Sequence, residues 1–172
     1  MHAIRKVIPV LALLAVIAAG VMAASSSAAS SQQSASGQGT LDNGARKFSF
    51  SAKTSADGSV KGQAELHNSA FTGANGNSPY DLHVDISCMK VVGNIAIFGG
   101  TVKRTNDPSL VDAVFFSVQD NAEPGKGVDK ISRVFFWDDD PSTTGDPQAC
   151  QLVTPTDFPL ETIEAGNIQV RS

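Results

Sequence analysis

The stretch YDLHVDISCMKVVGNIAIFGGTVKR, residues 80–104, carries the strongest β pattern in the chain. Leu82, Val84, Ile86 and Cys88 alternate with His83, Asp85 and Ser87, the period of two expected of a strand with one buried face. Ile95, Ala96, Ile97 and Phe98 form a second apolar run directly after Gly93-Asn94. Glycine in the first central position of a two-residue turn permits the positive φ of a type II′ hairpin, whose twist matches that of its strands. The register that follows sets Val92 opposite Ile95 and Cys88 opposite Gly99. Met89, Val91 and Phe98 then fall on a second face, so both faces of the pair are predicted to be covered. Gly99-Gly100 predicts a bulge or a sharp bend.

Working outward, Lys47 to Lys53 alternates around Phe48 and Phe50 and predicts a strand. A turn at Ala56-Asp57-Gly58-Ser59 leads into a second strand, Val60 to His67, antiparallel to the first. The Asn/Gly/Ser-rich run 68–79 is a loop, and Phe71 in it is predicted to plug one end of the core or to stack on a ligand. After the central hairpin, residues 111–119 and 130–137 are predicted to be adjacent antiparallel strands. Each contains a Phe-Phe pair (Phe115-Phe116, Phe135-Phe136) that places one ring on each face. Residues 138–162 carry Pro141, Pro147, Pro155 and Pro159, which exclude a regular helix and most strands. Residues 163–171 suit a closing strand. Seven or eight short strands, with no helical period outside the N-terminal stretch, predict an all-β domain. It is expected to be a single antiparallel β-barrel or β-sandwich with mostly up-and-down connections.

The first 23 residues have the anatomy of a secretory signal: basic Arg5 and Lys6, an apolar run from Val7 to Gly20, and Val21-Met22-Ala23 as a cleavage site. Retention as a membrane anchor is the alternative. Residues 24–40, almost all Ser, Ala, Gln and Gly, suit a flexible linker that cannot bury enough apolar surface to order itself. The domain is expected over 41–172. Without Arg5 and Lys6 the chain keeps 11 basic residues against 17 acidic, a formal charge of −6. That balance argues against nucleic acid or an anionic membrane as partner, and a monomer with no membrane contact after cleavage is expected.

An exported chain with two cysteines predicts one disulfide, Cys88–Cys150. The motifs of a nucleophile elbow, a zinc protease, a P-loop and a dinucleotide site are all missing from the sequence. His67 and His83 come close if their strands pair, and a zinc site with Glu65 or Asp85 is conceivable, although alternation places all four toward solvent. Pairing of 111–119 with 130–137 places Asp138, Asp139 and Asp140 near Asp107 and Asp112, with Asp120, Glu123 and Asp129 at the other end. A calcium site at Asp138, Asp140 and Asp112 is the candidate, and the competing reading is a solvated acidic rim. No other cofactor is expected. Two carboxylates across a cleft also suit a glycosidase. Such a site wants stacking aromatics, and Trp137 and Tyr80 are the sole Trp and Tyr.

The order of Phe48 and Phe50, the VGNIAIFGG centre, FSVQD, the Glu-Pro-Gly loop, Asp129-Lys130-Ile131 and the terminal GNIQV resembles a group of uncharacterised secreted bacterial β domains. These are similar to domains appended to choice-of-anchor cell-surface proteins. The resemblance spans 41–171; it implies export and an all-β domain and brings no catalytic residues. Function is therefore expected to be that of a non-catalytic binding or structural module at the envelope or outside the cell. The alternatives are a small secreted hydrolase or isomerase with a barrel cavity, and a calcium-stabilised adhesion domain.

Overall fold

Alternating burial organises the strands. The computed structural model describes residues 32–70, 80–110, 112–121, 128–136 and 145–172. Its strands are β1 (Ser34–Leu41), β2 (Arg46–Thr54), β3 (Val60–Asn68), β4 (Tyr80–Val92), β5 (Ile95–Thr105), β6 (Ala113–Gln119), β7 (Lys130–Ser132), β8 (Phe135–Phe136), β9 (Leu160–Thr162) and β10 (Ala165–Arg171). They form one antiparallel sheet in the order β10-β1-β2-β3-β4-β5-β6-β7-β9, with β8 on β6 beyond β7. The sheet curls into a half-barrel, so the choice between barrel and sandwich falls to a single curved sheet, with ten strands rather than seven or eight.

The predicted hairpin register is the observed one. Gly93 has φ of 62°, Val92 pairs with Ile95 and Cys88 with Gly99. One expectation fails within it. The register slips between Ile86 and Cys88, leaving Ser87 as an extra residue. Such a bulge reverses the alternation beyond it. Leu82, Val84, Ile86 and Met89 therefore face the inner core, and Cys88 faces the outside of the curl.

The linker expected over 24–40 is corrected over its C-terminal part. Residues 34–41 form β1, which pairs along its length with β2 and β10. Its inward positions are Ala35, Gly37, Gly39 and Leu41, too small to register as an apolar face. The missing bulk comes from the neighbouring strand, because Gly37 pairs with Phe50 and Gly39 with Phe48. A Cβ on Gly37 would sit 2.9 Å from the Phe50 ring, and one on Gly39 2.8 Å from the Phe48 ring. The rings lie over glycine backbone, a recognised way of stabilising glycine in a strand. Residues 1–31, including the expected signal, lie outside the described residues.

Inside the curl, Phe98 and Phe116 stack with centroids 4.7 Å apart, and Phe50 meets them at 5.2 and 5.9 Å. Leu82, Val84, Val114 and Val118 pack around the rings. On the outer side, Ile97, Ala113 and Phe115 form a second cluster with Val153 and Phe158. The proline-rich segment supplies that cover. Pro147 and Pro155 open short 3-10 turns (Pro147–Gln151 and Pro155–Asp157), where a missing N–H costs nothing. The strand predicted at 130–137 is split into β7 and β8, and both pair with β6.

The two edges of the sheet belong to consecutive strands, and acidic side chains join them. Asp129, fully buried, accepts the N–H of Ile168 on one carboxylate oxygen at 2.9 Å and that of Asn121 on the other at 2.9 Å. Asp120 accepts the N–H of Val170 at 3.0 Å, and the Asp129 carbonyl accepts the N–H of Ile163. Ile168 and Val170 are two residues apart, so their N–H groups leave the same edge of β10. Across the end of the curl, Arg46 donates to Glu161 and to the Ser132 carbonyl, tying β2 to the β7–β9 edge. Burial pushes the Glu161 carboxyl up. The bond from Arg133 and the charge of Arg46 outweigh it, and the net shift is downward.

Asp129→Ala leaves two backbone N–H groups at the seam without acceptors. It is expected to cost about 3 kcal/mol. Hydrogen exchange should rise first at Ile168 and its neighbours on β10. Protection of β10 equal to that of β4 and β5 in this variant would refute the role assigned to the carboxylate.

Candidate functional site

The acidic candidates divide into those with backbone work and those beyond the described residues. One Asp112 oxygen accepts the N–H of Ala113 at 2.5 Å and of Gly145 at 2.8 Å, which anchors the start of the covering segment. Asp138 and Asp140, with Asp139, Glu123, Phe71 and Trp137, lie outside the described residues. At the opposite end, the carboxylates of Asp120 and Asp129 hold the seam. Asp107 is fully buried and accepts from the backbone N–H and hydroxyl of Ser109 at 3.0 and 2.6 Å. Among the described residues, no group of three or more His, Cys, Asp and Glu side chains is placed to hold a metal ion.

The two histidines sit on the outer face of neighbouring strands, as the alternation predicts. Each is held by a carboxylate directly across the β3–β4 pair: His67 by Asp81, and His83 by Glu65 at 2.6 Å. Each ring thus has its own carboxylate, and the two are not grouped around a shared one.

The Cys88–Cys150 disulfide is formed, with Cα atoms 6.2 Å apart and both residues fully buried. The bulge at Ser87 makes it possible, because it turns Cys88 toward the covering segment. Polar contacts extend the staple. Gln148 donates to the Ser87 carbonyl, Gln151 to that of Met89, and the Lys90 ammonium to those of Gln151 and Val153. The Pro147 carbonyl passes so close to the sheet that a Cβ on Gly99 would lie 2.0 Å from it.

Interior space is small. A recess between Leu41, Arg46, Tyr80, Phe116 and Ser132 holds about 20 Å³, roughly the room for one water. Burial raises the Tyr80 phenol above its ordinary value, against the opposing charge of Arg46.

Of two larger depressions, one of about 560 Å³ lies beside the covering segment between Ser59, Lys90, Gln148 and Gln151, and the other lies on the outer face where that segment is absent. The latter, about 580 Å³, crosses β10, β1, β2 and β3. Ser36, Ser49 and Ser51 form its low floor, with Gln38, Gln63 and Gln169 standing around it. Cross-strand pairing sets Gln169, Ser36, Ser51 and Gln63 in one row. Asn167, Gln38, Ser49 and Glu65 form the next. Two further depressions continue past Glu65, toward His67 and Asp81 and toward His83 and Arg104. Residues 34–40 supply part of this face, and the Ser-x-Ser-x-Gln-x-Thr spacing of their outward positions was the signal available for it.

Comparison with protein-family models, with curated proteins and with solved structures finds no match to this chain.

Two measurements follow from the site geometry. Cys88→Ser is expected to lower stability by about 4 kcal/mol on the chain-entropy model, given the 62-residue separation. It should expose the 145–158 segment to protease while leaving the β signature in circular dichroism intact. An unchanged melting temperature and protease pattern would refute the staple. Tyr80 is the chain's single tyrosine, so absorbance at 295 nm reports it alone. Its midpoint should lie above the ordinary phenol value of 10.0. A phenol kept neutral by the fold contributes stability below that value and loses it as pH rises through its own midpoint. A midpoint at the ordinary value would show that the ring is not buried.

Proposed function

We propose that the chain is an exported β domain that works without catalysis, as a binding or structural module at the cell envelope or outside the cell. The observation that carries this is the filled interior: Phe48, Phe50, Phe98 and Phe116 occupy the space that a barrel enzyme would line with converging polar groups. Recognition by such a domain takes place on its outer surface. The buried disulfide is compatible with an oxidising compartment. Among the described residues, no helix is long and apolar enough to cross a membrane. The Arg5–Ala23 pattern supplies the route of export, and the likeness to domains appended to choice-of-anchor proteins fits the same setting.

The test follows the full chain through expression and export. The expected result is a processed, disulfide-bonded form that co-sediments saturably with isolated bacterial envelope fragments and turns over no chromogenic ester or glycoside. Retention in the cytoplasm with reduced thiols, or turnover lost on mutation of a carboxylate, would overturn the proposal. A melting temperature that rises with millimolar calcium would move the assignment to a calcium-stabilised adhesion domain.

A further inference from the structure

We infer that the covering segment guards an open strand edge on β4, and that with the guard removed this edge pairs with the same edge of a second copy of the chain. This is a property of the fold and does not depend on what the module binds.

The edge follows from the bulge. β3 pairs with β4 only as far as Gly62 and Ile86, whereas β4 runs on to Val92 and stays paired with β5 up to the hairpin turn. A bulge bends its strand and interrupts pairing, and the ladder with β3 ends beside Ser87. The remaining residues of β3, back to Val60, pair with β2 alone. The two-residue turn makes Val92 and Ile95 a hydrogen-bonded pair, so Cys88, Lys90 and Val92 direct their N–H and C=O groups to β5. Met89 and Val91 direct theirs the other way, into the gap that β3 leaves. That gap is the depression of about 560 Å³, bounded by Gly58, Ser59 and Val60 on one side and by Met89, Lys90 and Val91 on the other. Among the described residues, no backbone bond crosses it from β3 to β4.

The covering segment closes this track. The Gln148 amide donates to the Ser87 carbonyl at 3.1 Å, and the Gln151 amide to the Met89 carbonyl at 3.2 Å. These carbonyls are two residues apart, the spacing at which a neighbouring strand would present its own N–H groups. Both glutamine side chains line the gap, so they occupy the line that an added strand would follow. The disulfide holds them there, together with the Lys90 ammonium on the carbonyls of Gln151 and Val153.

The uncovered edge selects its partner. Val91 offers an N–H and a C=O to the gap, and Met89 an N–H, joined by its C=O once Gln151 is withdrawn. Donors and acceptors at that spacing are matched by an extended backbone. Val60 and Val91 are half-buried against the inner core, so an incoming strand also covers apolar surface. The same edge of a second copy, run antiparallel about a two-fold axis, supplies every group required.

The experiment compares the disulfide-bonded protein with Gln148→Ala/Gln151→Ala by sedimentation velocity over a concentration series, with amide exchange measured alongside. In the monomeric parent, the Val91 amide should exchange faster than that of Lys90. The substituted side chains are exposed, so the double variant should melt as the parent does. It should dimerise at a concentration about tenfold lower than the parent, because each copy gains two free carbonyls. Dimerisation should slow exchange at Val91. Val91→Pro removes an N–H that β5 does not use, and in the double variant it should restore the monomer. Cys88→Ser/Cys150→Ser, which releases the whole segment, should dimerise with the same protection at Val91. A double variant as monomeric as the parent, dimers in which Val91 stays unprotected, association undiminished by Val91→Pro, or a Val91 amide as slow as Lys90 in the parent monomer would each overturn the inference.

Discussion

The half-barrel depends on the Asp129 carboxylate. The sheet ends in β9 on one side and β10 on the other, and a curved sheet with two exposed edges leaves a row of unmatched backbone groups. Asp129 stands in for a strand at that seam, with its two oxygens facing backbone N–H groups on opposite sides of the gap. Asp120 repeats the contact two residues along β10. The consequences run inward. Once β10 is held, β1 is paired on both sides, and its glycines are pressed against Phe48 and Phe50. Those rings complete the stack with Phe98 and Phe116. The same carboxylates occupy N–H groups that an incoming strand would need, so this edge of the sheet is closed to strand addition.

What was legible in the sequence was local. The Gly93-Asn94 turn fixed the register of the hairpin because turn geometry is decided by two residues. Strands β2 and β3 were legible because their own side chains alternate. Strand β1 was not, because the bulk that buries it belongs to the next strand and its inward residues are glycine and alanine. The face of Cys88 was misread although a bulge was predicted at Gly99-Gly100: the slip lies opposite that pair, and the extra residue falls on β4, where the alternation from Leu82 to Cys88 runs across it unbroken. The pairing of Cys88 with Cys150 survived that error because it rested on composition and compartment. The acidic residues show the limit most clearly. A cluster of carboxylates at strand ends suggests a cation to a reader of sequence, whereas Asp120, Asp129 and Asp112 accept backbone N–H groups whose positions are known only after the sheet has closed.

The outer surface of the curl divides into two territories. Over β5 and β6 the segment 145–158 lies flat, tied by the disulfide and by Lys90 and Gln151, and the residues beneath it are apolar. Over β10, β1, β2 and β3 the outward side chains around Ser36, Ser49 and Ser51 are hydroxylated or amidated and open, and Lys47, Lys53, Lys61 and Glu65 stand at the margins. The covered half gives the domain a second core; the open half gives it a surface with unspent hydrogen bonds. The sequence encodes this division as Phe-Phe pairs in β6 and β8, and as Ser and Gln at alternate positions of β1, β2 and β3.

The extra residue at Ser87 makes the disulfide a matter of parity. Strand β4 presents its odd and even positions to opposite sides, and one surplus residue exchanges the two sets between Ile86 and Cys88. Removing Ser87 would restore a straight ladder with Cys88 directly after Ile86, on the outer side and still facing Cys150. Straightening the strand with Ser87 retained would instead carry the sulfur to the inner side, away from Cys150. In descendants of this chain, loss of Ser87 alone is therefore compatible with retention of both cysteines, whereas loss of the slip with Ser87 kept should be accompanied by loss of both.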